Sequence, residues 1–404
     1  MDASAALPLS GVRVLDLTRL LPGPYATFVL TGYGADVVKV EDTGAGDYAR
    51  HSPPLKSSGL GAAFTASNAG KRSVAIDLKS AEGRELFLRL LRNADVLVES
   101  FRPGVMKRLG LDYVTLVQSH PRLIYCAMSG YGQHAAQAAL AGHDINYQGE
   151  AGLLTQRTDS EVEPLPPALL GDLVGGSYSA VIAIMAALLE RHTTGRGRFI
   201  DISITHGAMA LLPFATIAAA NGEAQPEFGQ GALTGGNPFY GIYACADGRR
   251  ISLGALEHKF WQAFCRHAGL DDLASLLPEK LHGDASTRAA VRERLTALFM
   301  TRSAADWTEL GRQWDVCLGP VATVEEALTA SHAQGLPLTH RYAGPKGMTV
   351  QVLKGVSADL AAPARELSPP PAQGQHTRAL LAEAGCTAQQ IDYFTELGVI
   401  RHAA

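Results

Sequence analysis

Short β-branched and aliphatic runs alternate with helical patterns through the first half of the chain, and this alternation restricts the fold more than any other feature. Val12 to Leu17, Ala35 to Glu41, Asp95 to Glu99, Leu123 to Met128 and Arg198 to Ile204 have strand length and composition, whereas Pro24 to Thr31, Ala81 to Asn93 and Tyr178 to Arg191 carry helical spacing. Short strands alternating with helices form βαβ units, which imply a parallel sheet covered on both faces. The expected class is α/β: a doubly wound, Rossmann-like parallel sheet forming a large domain.

After Ile217 the pattern changes. Asn221 to Asn237 is polar and Gly-rich, and Phe239 to Tyr243 and Arg250 to Leu253 flank an Asp247-Gly248 turn in the manner of a hairpin. Helical stretches follow around Trp261, Arg288 to Phe299 and Trp307. A second, smaller α+β domain is therefore expected over 221–330, with 1–220 and 331–404 forming the large one. From Ser368 a Pro-rich tail leads into two short helical patterns, one around Leu380 and one from Thr387 to Leu397.

Composition removes several functional classes. The 404 residues are 47% hydrophobic and 18% charged with net charge -4, which fits a globular chain with an ample core and offers no basic stripe to track a phosphate backbone. Nucleic acid is not an expected partner. The five cysteines (Cys126, Cys245, Cys265, Cys317, Cys386) lie far apart without a CxxC pair, so neither a disulfide framework nor a metal site is expected, and a reducing cytoplasm suits them. Met1 to Leu9 lacks the parts of a signal peptide and reads as a short tail. The apolar runs Ala180 to Leu189 and Ala208 to Ala220 are shorter than the roughly 20 residues of a membrane span and read as buried helices, so no membrane partner is expected.

P-loop, HExxH and GxSxG signatures are missing. Gly44-Ala45-Gly46-Asp47-Tyr48-Ala49 matches a dinucleotide fingerprint after a strand, but His51-Ser52-Pro53-Pro54 prevents the helix that such a loop must open. Two other segments place titratable groups at glycine-flanked bends: Gly142-His143-Asp144 and Gly171-Asp172. An imidazole and a carboxylate on backbone that can approach a ligand are the parts of a proton-transfer site. Taken singly, His143 also reads as a hydrogen-bonded structural residue and Asp172 as an N-cap.

With these segments, Gly254-Ala255-Leu256-Glu257, Phe101-Arg102-Pro103-Gly104 and the 369–377 run Pro-Pro-Pro-Ala-Gln-Gly-Gln-His-Thr, the chain resembles the family III CoA-transferase (CaiB/BaiF) superfamily, and within it the α-methylacyl-CoA racemases. The resemblance implies an acyl-CoA substrate, no prosthetic group, a tail returning to the large domain and an interlocked homodimer. It assigns acid–base roles to His143, Asp172 and Glu257. Coenzyme A, as part of the thioester, is assigned to Lys71, Arg72, Ile76, Asp77, Leu78, Lys79, Arg102 and Arg108, with Gly142, Asp144 and Tyr147. At the position after Val40-Glu41, often Arg in the family, this chain has Asp42.

Inversion of a 2-methylacyl-CoA needs one base on each face of the α-carbon and donors for the enolate oxygen, expected from the backbone of Gly175-Gly176-Ser177 at a helix start. The alternative is CoA transfer between carboxylic acids, with Asp172 as nucleophile forming an aspartyl-CoA thioester. Transferases of the oxalate type have a glutamine in the first loop and an aromatic residue at the histidine position; here those are Leu20-Leu21-Pro22-Gly23-Pro24 and His143, which favours the racemase. An apolar acyl pocket is expected around Phe239, Tyr240, Phe260 and Trp261.

Overall fold

The computed structural model describes residues 7–55, 59–154, 168–224, 229–277, 284–333, 339–343, 349–353 and 367–403. Residues 1–6 of the expected N-terminal tail lie outside them. The described residues within 1–154, 164–213 and 334–404 form one compact unit, and those within 214–333 a second.

In chain order the first stretch runs β1 (Arg13–Leu17), α1 (Pro22–Gly32), β2 (Asp36–Glu41), α2 (Ala62–Asn68), β3 (Arg72–Ile76), α3 (Ala81–Leu91), β4 (Val96–Glu99), α4 (Val105–Leu109), α5 (Tyr113–Leu116), β5 (Ile124–Ser129), α6 (Asp144–Glu150), a π-helical segment (Gly171–Tyr178), α7 (Ser179–Thr194), β6 (Phe199–Ser203), α8 (Ile204–Met209) and α9 (Pro213–Ala220). The second unit holds β7 (Tyr240–Ala244), β8 (Arg250–Gly254), α10 (His258–Ala268), α11 (Ala285–Phe299), α12 (Ala304–Trp314), β9 (Leu318–Pro320) and α13 (Val324–Ala333). The chain then returns with β10 (Thr339–Ala343), β11 (Thr349–Leu353), α14 (Thr377–Glu383), α15 (Ala388–Glu396) and β12 (Ile400–Arg401).

The large sheet has the order β12-β3-β2-β1-β4-β5-β6, parallel throughout except for β12, which pairs antiparallel with β3. From β1 the chain winds outward to β3 on one side and from β4 to β6 on the other, so the direction reverses between β1 and β4. In sheets of this kind ligands bind outside the strand carboxyl ends at that reversal. Side chains alternate across the sheet. Leu15, Leu17, Leu97, Tyr125 and Ala127 pack with Leu86, Phe87, Met106, Leu380 and Ile391, while Val14, Val96, Val98, Ile124 and Ile200 pack with Val29, Leu30, Val181 and Ile184.

Two elements of this unit differ from the sequence pattern. Strand β3 occupies the segment read as a basic anion site, and its first residues, Arg72 and Ser73, are polar because their partners come from other strands and the tail. Gly171–Thr194 forms one continuous 24-residue helical run, long and apolar enough by composition to cross a membrane, although its two parts are separately too short. Ala180, Val181, Ile184, Ala187 and Leu188 of this run are buried in the core against the sheet.

The tail does return to the large unit. His376 Nδ1 accepts from Ser73 N at 3.1 Å, Thr377 Oγ1 accepts from Ala75 N at 3.1 Å, and Arg50 Nη1 donates to Pro371 O at 2.8 Å. In the second unit β7 and β8 form the antiparallel hairpin and β9 joins β8. Gly248 makes its turn possible with a φ of +75°.

Candidate active site

The loops after β1, β2, β3 and β4 and the segments after β5 and β6 lie at the carboxyl ends of the strands. The loop after β1 is held from several sides. Leu20 sits at φ +68°, a conformation that costs an ordinary side chain about 1 kcal/mol or more, and its N–H donates to Asp47 Oδ1 at 3.0 Å. Pro22 O accepts from Ser177 Oγ at 2.7 Å, and Pro24 O accepts from Lys71 Nζ at 2.8 Å.

His143 is the exposed N-cap residue of α6, and its backbone N–H donates to Asn146 Oδ1 at 3.0 Å. Asp144 is buried. Its Oδ1 accepts from Asp172 N at 2.8 Å, and its Oδ2 takes the Gln148 amide. This bond ties the segment carrying His143 to the one carrying Asp172, 28 residues on.

Asp172 lies half-buried in the first turn of the π-helical segment, a geometry that occurs frequently at functional sites. Burial, and then the Asp144 carboxylate, push its carboxyl up to about 7. Close packing explains the glycines: a Cβ on Gly175 would stand 2.5 Å from Ile204 O, and one on Gly207 would stand 2.1 Å from Gly175 O, so α8 lies directly on this segment.

Tyr147 completes the cluster, donating its hydroxyl to Gly142 O at 2.6 Å. Burial, then Asp172 and Tyr131, push the phenol up to about 12, with Arg102 opposing. Arg102, which follows β4, therefore shares one electrostatic neighbourhood with Tyr147, Asp172 and Asp144. The structure thus brings together Gly142, His143, Asp144, Tyr147, Asp172 and Arg102.

Other expected residues are placed differently. Lys71 is 1% exposed, and its ammonium is held by Asp16 Oδ2 at 2.9 Å, Thr27 Oγ1 at 2.8 Å, Asn68 Oδ1 at 2.9 Å and Pro24 O. Burial pushes it down to about 8 against the pull of Asp16. Arg72 stands at the amino end of β3, where its guanidinium binds Asp36 and Glu383. Neither side chain is free for a phosphate, which corrects that expectation. The reason is topological: sequence shows the charge but not a partner such as Asp16, 55 residues away. Ile76 is buried in the sheet, and Asp77 and Leu78 are half-buried in the loop after β3, where Asp77 Oδ1 accepts from Lys79 N at 3.0 Å. Lys79, Arg102 and Arg108 are exposed, and their charged ends carry no hydrogen bond or ion pair among the described residues.

Replacing Lys71 with Met is expected to destabilise the fold by about 3 kcal/mol, because it strips the buried Asp16 carboxylate of its ion partner. Urea denaturation measures this. A loss under about 1 kcal/mol would contradict the structural role.

Two further expectations change. Gly175, Gly176 and Ser177 lie inside the helical run, which begins several residues earlier, so they do not present free helix-start amides. The first amides of α6, Asp144 N–H and Ile145 N–H, have no partner among the described residues. Phe239 and Trp261 are wholly buried in the core of the second unit, with Trp261 Nε1 donating to Leu273 O at 2.9 Å, so they are core residues, not the lining of an open pocket. Glu257 belongs to the second unit, exposed, as the N-cap residue of α10.

The Gly44-to-Ala49 string leads only to the three-residue 3-10 turn Tyr48–Arg50, as the two prolines require. Sequence reasoning passed over Arg19 and Glu99 at the ends of β1 and β4. Glu99 is 4% exposed and accepts from Phe101 N at 2.8 Å; burial, with a contribution from Asp201, pushes it up to about 8. The signal for both was their position at the end of a strand run beside the expected reversal of the sheet.

A profile of CoA-transferase family III matches residues 9–377. The α-methylacyl-CoA racemase of Mus musculus is 37% identical over 325 residues, covering 80% of this chain and 80% of the relative. The succinyl-CoA:glutarate CoA-transferase of Mus musculus is 31% identical over 391 residues, covering 95% of this chain and 87% of the relative. A solved CaiB/BaiF family protein from Brucella suis is similar with a TM-score of 0.74 at 30% identity, covering 94% of this chain and 100% of that one. With the family match spanning most of its length and a fold of the same kind, this chain belongs to CoA-transferase family III, the CaiB/BaiF family of enzymes that use CoA thioesters.

Proposed function

We propose that the protein racemises 2-methylacyl-CoA thioesters by removing the α-proton on one face and returning a proton on the other. The observation that carries this reading is Asp172. A carboxyl pushed up to about 7 can both take and give a proton near neutrality, whereas a carboxylate serving only as a nucleophile is best kept ionised. His143, on the segment bonded to Asp172 through Asp144, supplies the second group.

In one direction the Asp172 carboxylate takes the α-hydrogen, the C–H electron pair moves into the thioester as an enolate, and protonated His143 delivers its proton to the opposite face. The reverse direction exchanges the roles. Donors at the start of α6, Asp144 N–H and Ile145 N–H, support the enolate oxygen in this reading. Incubating one enantiomer of a 2-methylacyl-CoA and separating the products on a chiral column should give both enantiomers. Unchanged configuration, with CoA moved onto an added carboxylic acid, would favour transfer instead.

Lys79, Arg102 and Arg108 are the cations proposed to meet the CoA phosphates at the carboxyl ends of β3 and β4. Calorimetry should show acyl-CoA binding that weakens by about tenfold between 50 mM and 500 mM salt, since ions screen such exposed pairs. Tight NAD binding with no response to CoA would overturn this assignment.

A cytoplasmic homodimer completes the proposal. Ile182 and Leu189 on α7 are 69% and 71% exposed, and Phe214 and Ile217 on α9 are 76% and 62% exposed, apolar surface of the kind a partner copy covers. All five cysteines are free thiols, in keeping with a reducing compartment. Light scattering at micromolar concentration should give about twice the chain mass. A monomer there would count against the dimer.

A further inference from the structure

The carboxylate of Asp42, just after β2, collects three donors from different places. Its Oδ2 accepts from Arg19 Nη2 at 2.9 Å, and its Oδ1 accepts from Gly44 N at 2.9 Å and Gly46 N at 3.1 Å. A guanidinium with two backbone amides of one tight loop is a donor set that binds phosphate oxygens as well as it binds a carboxylate.

The set is rigid. The Arg19 guanidinium lies over the Tyr48 ring at 5.3 Å and the Phe101 ring at 5.5 Å, and Arg19 N donates to Ser100 Oγ at 3.2 Å. Gly46 has a φ of +70°, and a Cβ there would stand 2.7 Å from Glu41 Oε1. The loop is braced from the tail, where Gln373 Nε2 donates to Asp42 O at 2.7 Å and Arg401 Nη1 to Gly44 O at 3.1 Å.

The set also stands where a ligand would pass. Arg19 follows β1, Phe101 follows β4, and the reversal of the sheet lies between those strands. The side chains of Arg19 and Asp42 are 28% and 40% exposed, so the pair is open to solvent.

We propose that the Asp42 carboxylate is an internal occupant of this anion cradle, and that Asp42 is thereby a specificity-determining residue that sets how strongly the site responds to phosphate charge on its ligand. The inference rests on the acyl-CoA reading for the identity of the ligand. With Asp42 ionised, Arg19 is neutralised in place and the two amides are occupied. A phosphate near the cradle then meets a carboxylate where the geometry would otherwise supply donors. Phosphate recognition falls to Lys79, Arg102 and Arg108.

Asp42→Asn tests this, because Asn keeps the Oδ1 acceptor for Gly44 and Gly46 and removes the charge. For CoA, Kd is expected to fall about fivefold, and its salt dependence to steepen by about one released ion. Affinity for an acyl-pantetheine, which has no phosphate, should change less than about twofold. Arg19→Gln should weaken CoA binding less than about twofold in the wild-type chain but about fivefold in the Asp42→Asn background.

An unchanged CoA affinity and salt slope in Asp42→Asn would overturn the proposal, as would a tenfold loss from Arg19→Gln alone. Should Asp42→Asn fold poorly, the Arg19→Gln result in the wild-type chain decides. Inorganic pyrophosphate separates this inference from the functional reading. Absence of CoA binding by either protein would contradict the acyl-CoA reading, whereas pyrophosphate must still bind Asp42→Asn more tightly than wild type if the cradle is self-occupied.

Discussion

Replacing Asp172 with Asn is expected to lower racemisation of 2-methylacyl-CoA by ~10³-fold, because the variant keeps the size of the side chain and loses its capacity to take a proton. The same substitution should stabilise the fold. The native carboxyl binds its proton up to about pH 7, pushed there by burial and by Asp144, while in the unfolded chain it releases the proton near its ordinary value. Between those limits the folded state holds more protons than the unfolded one, so native stability declines as pH rises through the window. Above pH 7 the wild type carries a disfavoured charge that Asn lacks. The variant should therefore be more stable at pH 8 by on the order of 2 kcal/mol, with the gap closing towards pH 4. Thermal unfolding at the two pH values, alongside chiral product analysis, reads both effects. A variant that retains more than about a tenth of wild-type turnover would remove Asp172 from the chemistry.

The second large effect is expected from His143→Ala. Racemisation requires a group on each face, so loss of the imidazole should reduce inversion by ~10²-fold or more while Asp172 continues to exchange the α-hydrogen on its own face. The signature is a split between two readouts: deuterium enters the α-carbon with retained configuration, and the opposite enantiomer fails to accumulate. Because His143 is exposed and its backbone N–H holds the Asn146 side chain, the substitution should leave the fold intact. Equal loss of exchange and inversion would mean that His143 serves some other step, and undiminished inversion would mean that it serves none.

Strands buried on both faces, such as β1, β4 and β5, can be read from sequence because short apolar runs dominate them, with a polar residue only here and there, such as Asp16 and Glu99. Strand β3 could not be read in that way: Lys71, Arg72 and Ser73 look like a solvated basic segment until Asp16, Asp36, Glu383 and the tail are folded against them. The two-residue β12 is too short to leave a pattern. The helical run from Gly171 is hidden by three glycines within its first six residues, which weaken helix propensity. Tertiary packing on α8 overrides that weakness, and the glycine pair Gly175 and Gly207 is what allows the approach.

The same distinction governs the site. His143, Asp172 and Arg102 stand out through the resemblance of their segments to the family, since each taken singly also reads as an ordinary structural or solvated residue, and the fold sets them in one neighbourhood. Lys71 and Arg72 misled because composition gives the charge of a side chain but not its partner. Asp144, expected to contact the ligand, has its carboxylate bonded to the Asp172 amide, where it ties the two segments together and raises the proton affinity of Asp172.

The most direct test of racemisation is to incubate a single enantiomer of 2-methylacyl-CoA with the enzyme in deuterated water, with and without a free carboxylic acid as acceptor, and to analyse product and protein by mass spectrometry. Proton transfer at Asp172 and His143 predicts one deuterium at the α-carbon, in both enantiomers, independent of the acceptor, with the protein mass unchanged. An aspartyl-CoA adduct on Asp172, with acceptor-dependent formation of a new acyl-CoA and no α-deuterium, would contradict it.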